Sequence, residues 1–211
     1  MQKPVYRADC RACPRLAAFL DQVKADHPAY FCKPVPPFGA AAAPLVIVGL
    51  APGMHGANRT GRPFTGDHAG HLLYATLAKF GFASGSFSPD GNDDLRLSGC
   101  RISNAVKCLP PDNKPDTAEI SRCNPYLAAD LARPGTRVVL ALGLIAHGAA
   151  LSALGLKKSH CKFVHAAEHA LPGGVTLVDS YHCSRYNTNT RRLTPEMFEA
   201  VFARARALVD R

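Results

Sequence analysis

The sequence predicts an α/β fold in three layers, with helices covering both faces of a central, mostly parallel four-stranded sheet. Three observations carry that expectation. Four short apolar runs rich in β-branched residues are spaced along the chain. The runs are continuous, as strands buried on both faces must be. Helical stretches fall between them, so the pattern alternates as βαβ units do. A chain of 211 residues, 47% hydrophobic, can bury the core of one such unit, and size alone demands no second domain, so residues 1–211 are read as a single domain.

The first strand is Leu45-Val46-Ile47-Val48-Gly49-Leu50, ended by a glycine and a proline. The other three are Arg101 to Val106, Arg137 to Leu142 and Val175 to Ser180. Helices are expected near 69–80, 117–132 and 144–154. The clearest helix is the last: Thr194 is placed to cap it, Pro195 occupies its first turn, and Met197, Phe198, Val201, Phe202, Ala205 and Leu208 form an apolar stripe. Its arginines, Arg204, Arg206 and Arg211, are read as a solvated face. The Pro- and Gly-rich stretches 34–44 and 87–94 are read as surface loops.

The formal net charge is +9. Clustered Lys and Arg suit a polyanion such as nucleic acid, although basicity also serves solubility. The longest apolar runs fall well short of the roughly 20 residues that cross a bilayer. The first ten residues lack the apolar core of an export signal. No membrane contact and a cytoplasmic location are therefore expected. In a reducing compartment eight cysteines point to metal binding or catalysis rather than to a disulfide scaffold.

Cys10 and Cys13 form a C-x-x-C, and Cys108 and Cys123 follow further along with 14 residues between them. Four such thiolates suit either zinc or an iron-sulfur cluster, and spacing does not separate the two. The bland alternative is that Cys108 and Cys123 are small core residues. Cys32, Cys100 and Cys161 have no paired spacing and are read as core or surface residues. His147, His160, His165 and His169 are read as surface or satisfied core histidines, since they show no spacing typical of zinc ligands.

The loop after the first strand, Gly49 to Asp67, occupies the carboxyl end of a strand, where open α/β sheets place ligands. It has neither a phosphate-binding P-loop nor a dinucleotide fingerprint. Phe64 is oddly placed for a core residue in so polar and Gly-rich a loop, and its face would suit stacking on a base. This loop resembles the first motif of the uracil-DNA glycosylase superfamily, in its family 5 (UDGb) form. Arg101-Ile102-Ser103-Asn104-Ala105-Val106-Lys107-Cys108 resembles the strand that supplies the pyrimidine-reading Asn, and His182 to Thr190 resembles the final motif.

The resemblance implies a uracil-DNA glycosylase-like fold and a set of roles. Phe64 stacks on an everted base, Asn104 bonds its amide edge, and His182 donates to the departing pyrimidine. Gly49, Leu50, Ala51 and Gly53 bring backbone N–H groups to the base. A carboxamide offers one donor and one acceptor, which match O4 and N3–H of uracil but not cytosine. Ala51 stands where the best-known relatives carry Asp or Asn. Water is therefore expected to be held by His55 or Asn58, with catalysis resting on electrostatics. Asp67 is a possible substitute carboxylate but is read as a helix cap.

Cys183 replaces a common Pro, which could loosen its loop, and Arg191 stands where many relatives have Gly. Ser184, Arg185, Asn187, Arg191 and Arg192 are expected to grip DNA phosphates. By the same resemblance Cys10, Cys13, Cys108 and Cys123 hold a structural [4Fe-4S] cluster. The expected function is hydrolysis of the N-glycosidic bond of uracil, and of other deaminated bases, flipped out of DNA, leaving an abasic site. The enzyme is expected to act as a monomer on double- or single-stranded DNA. The rival expectation is an inactive iron-sulfur DNA-binding module of the same fold.

Overall fold

The structure, a computed structural model, describes residues 6–211. The reading of the first five residues as free of an export signal lies outside the described residues. In chain order the elements are α1 (Pro14–Asp26), β1 (Phe38–Gly39), β2 (Leu45–Gly49), α2 (Ala57–Thr60), α3 (His68–Lys79), β3 (Ala83–Ser84), β4 (Arg96–Leu97), β5 (Cys100–Asn104), a 3₁₀ turn (Pro111–Asn113), α4 (Thr117–Leu131), β6 (Val138–Leu142), α5 (Leu144–Ala153), β7 (Glu168–Ala170), β8 (Thr176–Ser180), α6 (Arg185–Asn189) and α7 (Pro195–Val209).

The main sheet runs β1-β5-β2-β6-β8-β7. Its four inner strands are parallel, and they are the four expected from the apolar runs. The expected strand count is corrected from four to six, because β1 and β7 add antiparallel edges to β5 and β8. These edge strands are only two and three residues long, too short for an apolar run to betray them.

Continuous apolar strands feed two cores at once. Leu45 and Ile47 of β2 join Ile102, Leu140 and Val178 under α3 and α7. Val46 and Val48 join Val139, Ala141 and Leu177 under α4 and α5. Side chains alternate between the faces of a strand, so every position of β2 must be apolar or glycine. The three expected inner helices and α7 are all present, and Thr194 caps α7 through the N–H of Met197. Helix α1 adds a fifth long helix, with Cys13 at its N-cap and Pro14 in its first turn.

The chain leaves β2 for β5 on one side and returns to β6 on the other, so the strand order reverses at β2. A crevice opens outside the carboxyl ends of strands at such a point. Residues 49–67, 104–113, 143 and 181–185 all begin at those ends. Below the crevice the buried Asp130 of α4 accepts from Ser103 Oγ (2.8 Å) and Lys107 Nζ (3.1 Å), which fastens the β5 segment to α4.

Candidate active site

Gly49 ends β2, and its missing side chain lets two functional groups meet. A Cβ there would run into Asn104 Oδ1 and would lie 2.8 Å from the Phe64 ring. Asn104 ends β5 in parallel register with Gly49. Phe64 holds φ 55°, the left-handed region that bulky residues avoid. Its carbonyl packs where a Cβ on Gly70 would sit, a close approach that glycine allows. Backbone strain of this kind collects at ligand sites, where the surrounding fold enforces it.

His182 follows β8 and faces Phe64, the rings 5.9 Å apart and inclined by 26°. Asn187 Nδ2 donates to the His182 carbonyl at 2.8 Å, which holds the residue from the far side of its loop. Burial lowers the imidazole pKa from its usual value, against a smaller opposing pull from the Asp67 carboxylate. The ring is thus neutral near pH 7, an N–H donor that adds no net charge.

These groups line one cleft of about 680 Å³ together with Leu50, Ala51, Gly53, His55, Ser184 and Arg185. Asn104 Oδ1 lies on its floor, buried and without a hydrogen-bond partner. A buried acceptor left unpaired costs free energy unless a ligand meets it. Asp67 lines the cleft too. One of its oxygens caps α3 by accepting from the Gly70 N–H at 3.3 Å. The other looks across to Gly53 and Gly56, 3.3 and 2.6 Å from where a Cβ on each would be. The cap reading of Asp67 is therefore right and incomplete: the residue also gives the cleft a carboxylate that Ala51 does not.

Several sequence-based expectations do not reach the cleft. Asn58 is fully buried, its amide nitrogen donates to Cys32 Sγ at 3.4 Å, and it does not line the cavity. His55 does line it, with Nδ1 paired to the Tyr30 hydroxyl at 2.9 Å. Of the five residues expected on phosphates, Ser184 and Arg185 border the cleft. Asn187 braces His182 instead. Arg192 stacks on the Tyr181 ring at 4.5 Å, and Arg191 lines a separate groove with His68 and His71. Arg191 has φ 56°, which accounts physically for a Gly being the easier residue there. Cys183 does not loosen its loop: it is fully buried, and its thiol donates to the Ala69 carbonyl at 3.6 Å.

Two cleft features were not expected from the sequence. Asn113, in the left-handed region at φ 56°, lines the cleft from the turn after β5. Tyr186 is 72% exposed on α6, beside the cleft residues Ser184 and Arg185. An exposed Tyr within the final motif was the available signal.

The second constellation lies beneath the N-terminal segment. Cys10, Cys13, Cys108 and Cys123 line one small pocket, closed by Tyr6, Leu16, Val106 and Tyr126. Arg15 clamps α1 to α4 through both oxygens of the buried Glu119, at 2.8 and 2.7 Å. That clamp brings Cys13, at the head of α1, towards Cys123, one turn after Glu119. Lys107 N–H donates to Cys123 Sγ at 3.3 Å and the Tyr126 hydroxyl to Cys10 Sγ at 3.6 Å. Burial, then the neighbouring Cys123, pushes the Cys108 thiol up to about 12.

No three of these sulfurs lie within 4.8 Å of one another. A single zinc with bonds of about 2.3 Å would draw all four to roughly 3.8 Å. A four-iron cluster takes one thiolate on each iron and needs the wider set. The donor set therefore fits an iron-sulfur cluster better than one zinc.

The family model of the uracil DNA glycosylase superfamily matches residues 36–206 of this chain. The chain belongs to the uracil-DNA glycosylase superfamily. Within the superfamily it is 47% identical to the type-5 uracil-DNA glycosylase of Thermus thermophilus, over 94% of this chain and 93% of that protein. It is 38% identical to the type-5 enzyme of Pyrobaculum aerophilum, over 94% and 88%. The likeness to a type-4 uracil-DNA glycosylase from the same organism is 35%, confined to 57% of this chain and 55% of that protein. Among superfamily members this chain stands with type 5, as the motifs at Phe64, Asn104 and His182 imply.

Proposed function

We propose that this chain excises uracil from DNA by hydrolysing the N-glycosidic bond and leaves an abasic site. The observation that carries the reading is the meeting of Phe64, Asn104 and His182 in one cleft, with the Asn104 acceptor buried and unpartnered. A base in a duplex cannot reach such a cleft, so the nucleotide must swing out of the stack. Phe64 then covers one face of the base. The Asn104 carboxamide pairs with its O4 and N3–H, a pattern that cytosine lacks.

As the bond breaks, negative charge builds on the base and positive charge on the deoxyribose. The neutral His182 donates to the departing pyrimidine, and the backbone N–H groups of Leu50, Ala51 and Gly53 are assigned to the same charge. The free oxygen of Asp67 stabilises the cationic sugar and orients the attacking water, a role we assign to it in place of Asn58. Arg185 and Ser184 meet phosphates at the rim, and the exposed Tyr186 ring fills the gap left by the everted nucleotide.

Cys10, Cys13, Cys108 and Cys123 would hold a [4Fe-4S] cluster, which supplies a structural tie between α1 and the segment after β5. An as-purified sample with a broad brown absorption band that is lost in Cys108→Ser supports this; a colourless protein contradicts it. We take the chain to act as a single domain, as a monomer, in the cytoplasm. Among the described residues no helix is long and apolar enough to cross a membrane. The rival reading, a binding module without chemistry, rested on Ala51, and the Asp67 carboxylate in the cleft removes its support. Incubating the protein with a uracil-containing duplex, then cleaving abasic sites with alkali, tests the reading. Strand breakage at the uracil is expected, and intact oligonucleotide at high enzyme concentration rejects it.

A further inference from the structure

Apart from the thiol pocket, on the opposite side of β8 from α7, a second set of ligand-type side chains converges. Asp179 of β8 is fully buried. His147 Nδ1 of α5 lies 2.7 Å from its Oδ1, and His169 Nε2 of β7 lies 3.0 Å from its Oδ2. The three donor atoms lie within 4.8 Å of one another, the only such trio of His, Cys, Asp or Glu among the described residues. Its members come from three elements and are spread over 33 positions of sequence, so no local spacing announces it.

The hydrogen-bond chemistry requires a cation here. His147 Nε2 lies 3.1 Å from the Cys161 carbonyl, which can only accept, so that nitrogen carries the proton. A neutral His147 then aims the bare lone pair of Nδ1 at a carboxylate oxygen 2.7 Å away. Two acceptors at that distance repel unless a proton or a metal ion lies between them. The described ion-pair partners of Asp179 are only these two imidazoles, with no Lys or Arg among them. A histidine that gives its outer N–H to a backbone carbonyl and its inner nitrogen to a buried centre has the usual arrangement of a metal ligand.

We propose that His147, His169 and Asp179 bind one divalent transition-metal ion of the zinc class. Two imidazoles and one carboxylate are a donor set that such ions favour, with bonds of about 2.0–2.2 Å. Donors around a tetrahedral ion then stand roughly 3.3 Å apart, so each imidazole nitrogen, now 2.7 and 3.0 Å from the carboxylate, draws back from it by a few tenths of an ångström. Entry is from the His169 side, whose side chain keeps 16% exposure, and three protein ligands leave one position open.

The ion staples a segment that has no regular structure of its own. Residues 157–167 contain no helix or strand, and they wrap Asp179 closely. Val164 N–H donates to Asp179 Oδ2 at 3.3 Å, Ala166 N–H donates to the Asp179 carbonyl at 2.8 Å, and Asp179 N–H donates to the Ala167 carbonyl at 3.0 Å. Ala166 sits in the left-handed region at φ 64°, a conformation the surroundings must enforce. Three residues later in β8's line of travel comes His182, so the staple also steadies the strand end that carries it.

The test is calorimetric titration of chelator-dialysed protein with Zn²⁺, together with Tm at saturating Zn²⁺. Three proteins are compared: wild type, His169→Gln, and Cys13→Ser as a control for zinc captured by the thiol pocket. His169 is at the edge of the cluster, so its variant keeps the fold where a change at the buried His147 risks it. One Zn²⁺ per chain, bound at least about tenfold more weakly by His169→Gln and unchanged by Cys13→Ser, is the expected result, with Tm raised in wild type and far less in His169→Gln. The proposal is overturned if wild type takes up no Zn²⁺, which would leave a proton alone between Nδ1 and Oδ1. It is overturned equally if uptake is insensitive to His169→Gln or vanishes in Cys13→Ser.

Discussion

Asn104 sits at the cleft floor with an oxygen that no protein donor reaches. Removing the carboxamide deletes two hydrogen bonds to the base and leaves the DNA-facing rim untouched. Two bonds of about 1 kcal/mol each predict that Asn104→Ala slows single-turnover excision by about 10- to 100-fold while salt-dependent DNA binding persists. Equal rates would remove Asn104 from the pocket. His182 supports a second prediction. Burial lowers its pKa and that of His165 from the ordinary 6.5. The unfolded chain therefore binds more protons than the folded one just below that pH. Stability is complete above pH 6.5 and is lost as pH falls toward the lowered folded-state values. Tm should drop between about pH 7 and pH 5, and His182→Gln should flatten the slope. A slope that does not change in the variant would place the titration elsewhere.

At the scale of elements, Asp67 separates stability from chemistry. Asn caps a helix about as well as Asp, so Asp67→Asn should keep the melting temperature of the parent and slow excision. Asp67→Ala should lose both, with about 0.5–2 kcal/mol of stability from the missing cap. An Asp67→Asn enzyme of undiminished rate would show that the cleft needs no carboxylate. The cap was legible because Asp67 precedes an apolar helical run. Its second oxygen was not, because only the folded loop brings Gly53 and Gly56 against it. Asn58 misled for the complementary reason. A polar residue in a Gly-rich loop reads as solvent-facing, yet the loop turns its amide inward onto Cys32. Helix α1 was legible and unread: Pro14 in the first turn with Leu16, Leu20 and Val23 buried on one face is an ordinary helix signature.

For the whole molecule, the inner sheet was readable because parallel strands buried on both faces must be apolar throughout, while the short antiparallel edges leave no such trace. The thiol set and the base cleft were readable as motifs because their residues fall in short runs. The His147–His169–Asp179 cluster was not, since it exists only once α5, β7 and β8 are packed together. The fold joins these parts: β2, β5 and β8 end at the cleft, and the segment after β5 runs from Asn104 to Cys108 within a few residues. The base reader and the thiol pocket thus share one stretch of backbone, fastened by Lys107 and Asp130.

The central claim concerns what enters the cleft. It is tested most directly by the structure of the protein bound to a duplex carrying 2′-fluoro-deoxyuridine, whose glycosidic bond resists hydrolysis. The account predicts the uracil turned out of the helix, its face on Phe64, its O4 and N3–H on the Asn104 carboxamide and an oxygen within reach of His182. A uracil still stacked in the duplex, or held away from those three side chains, would contradict it.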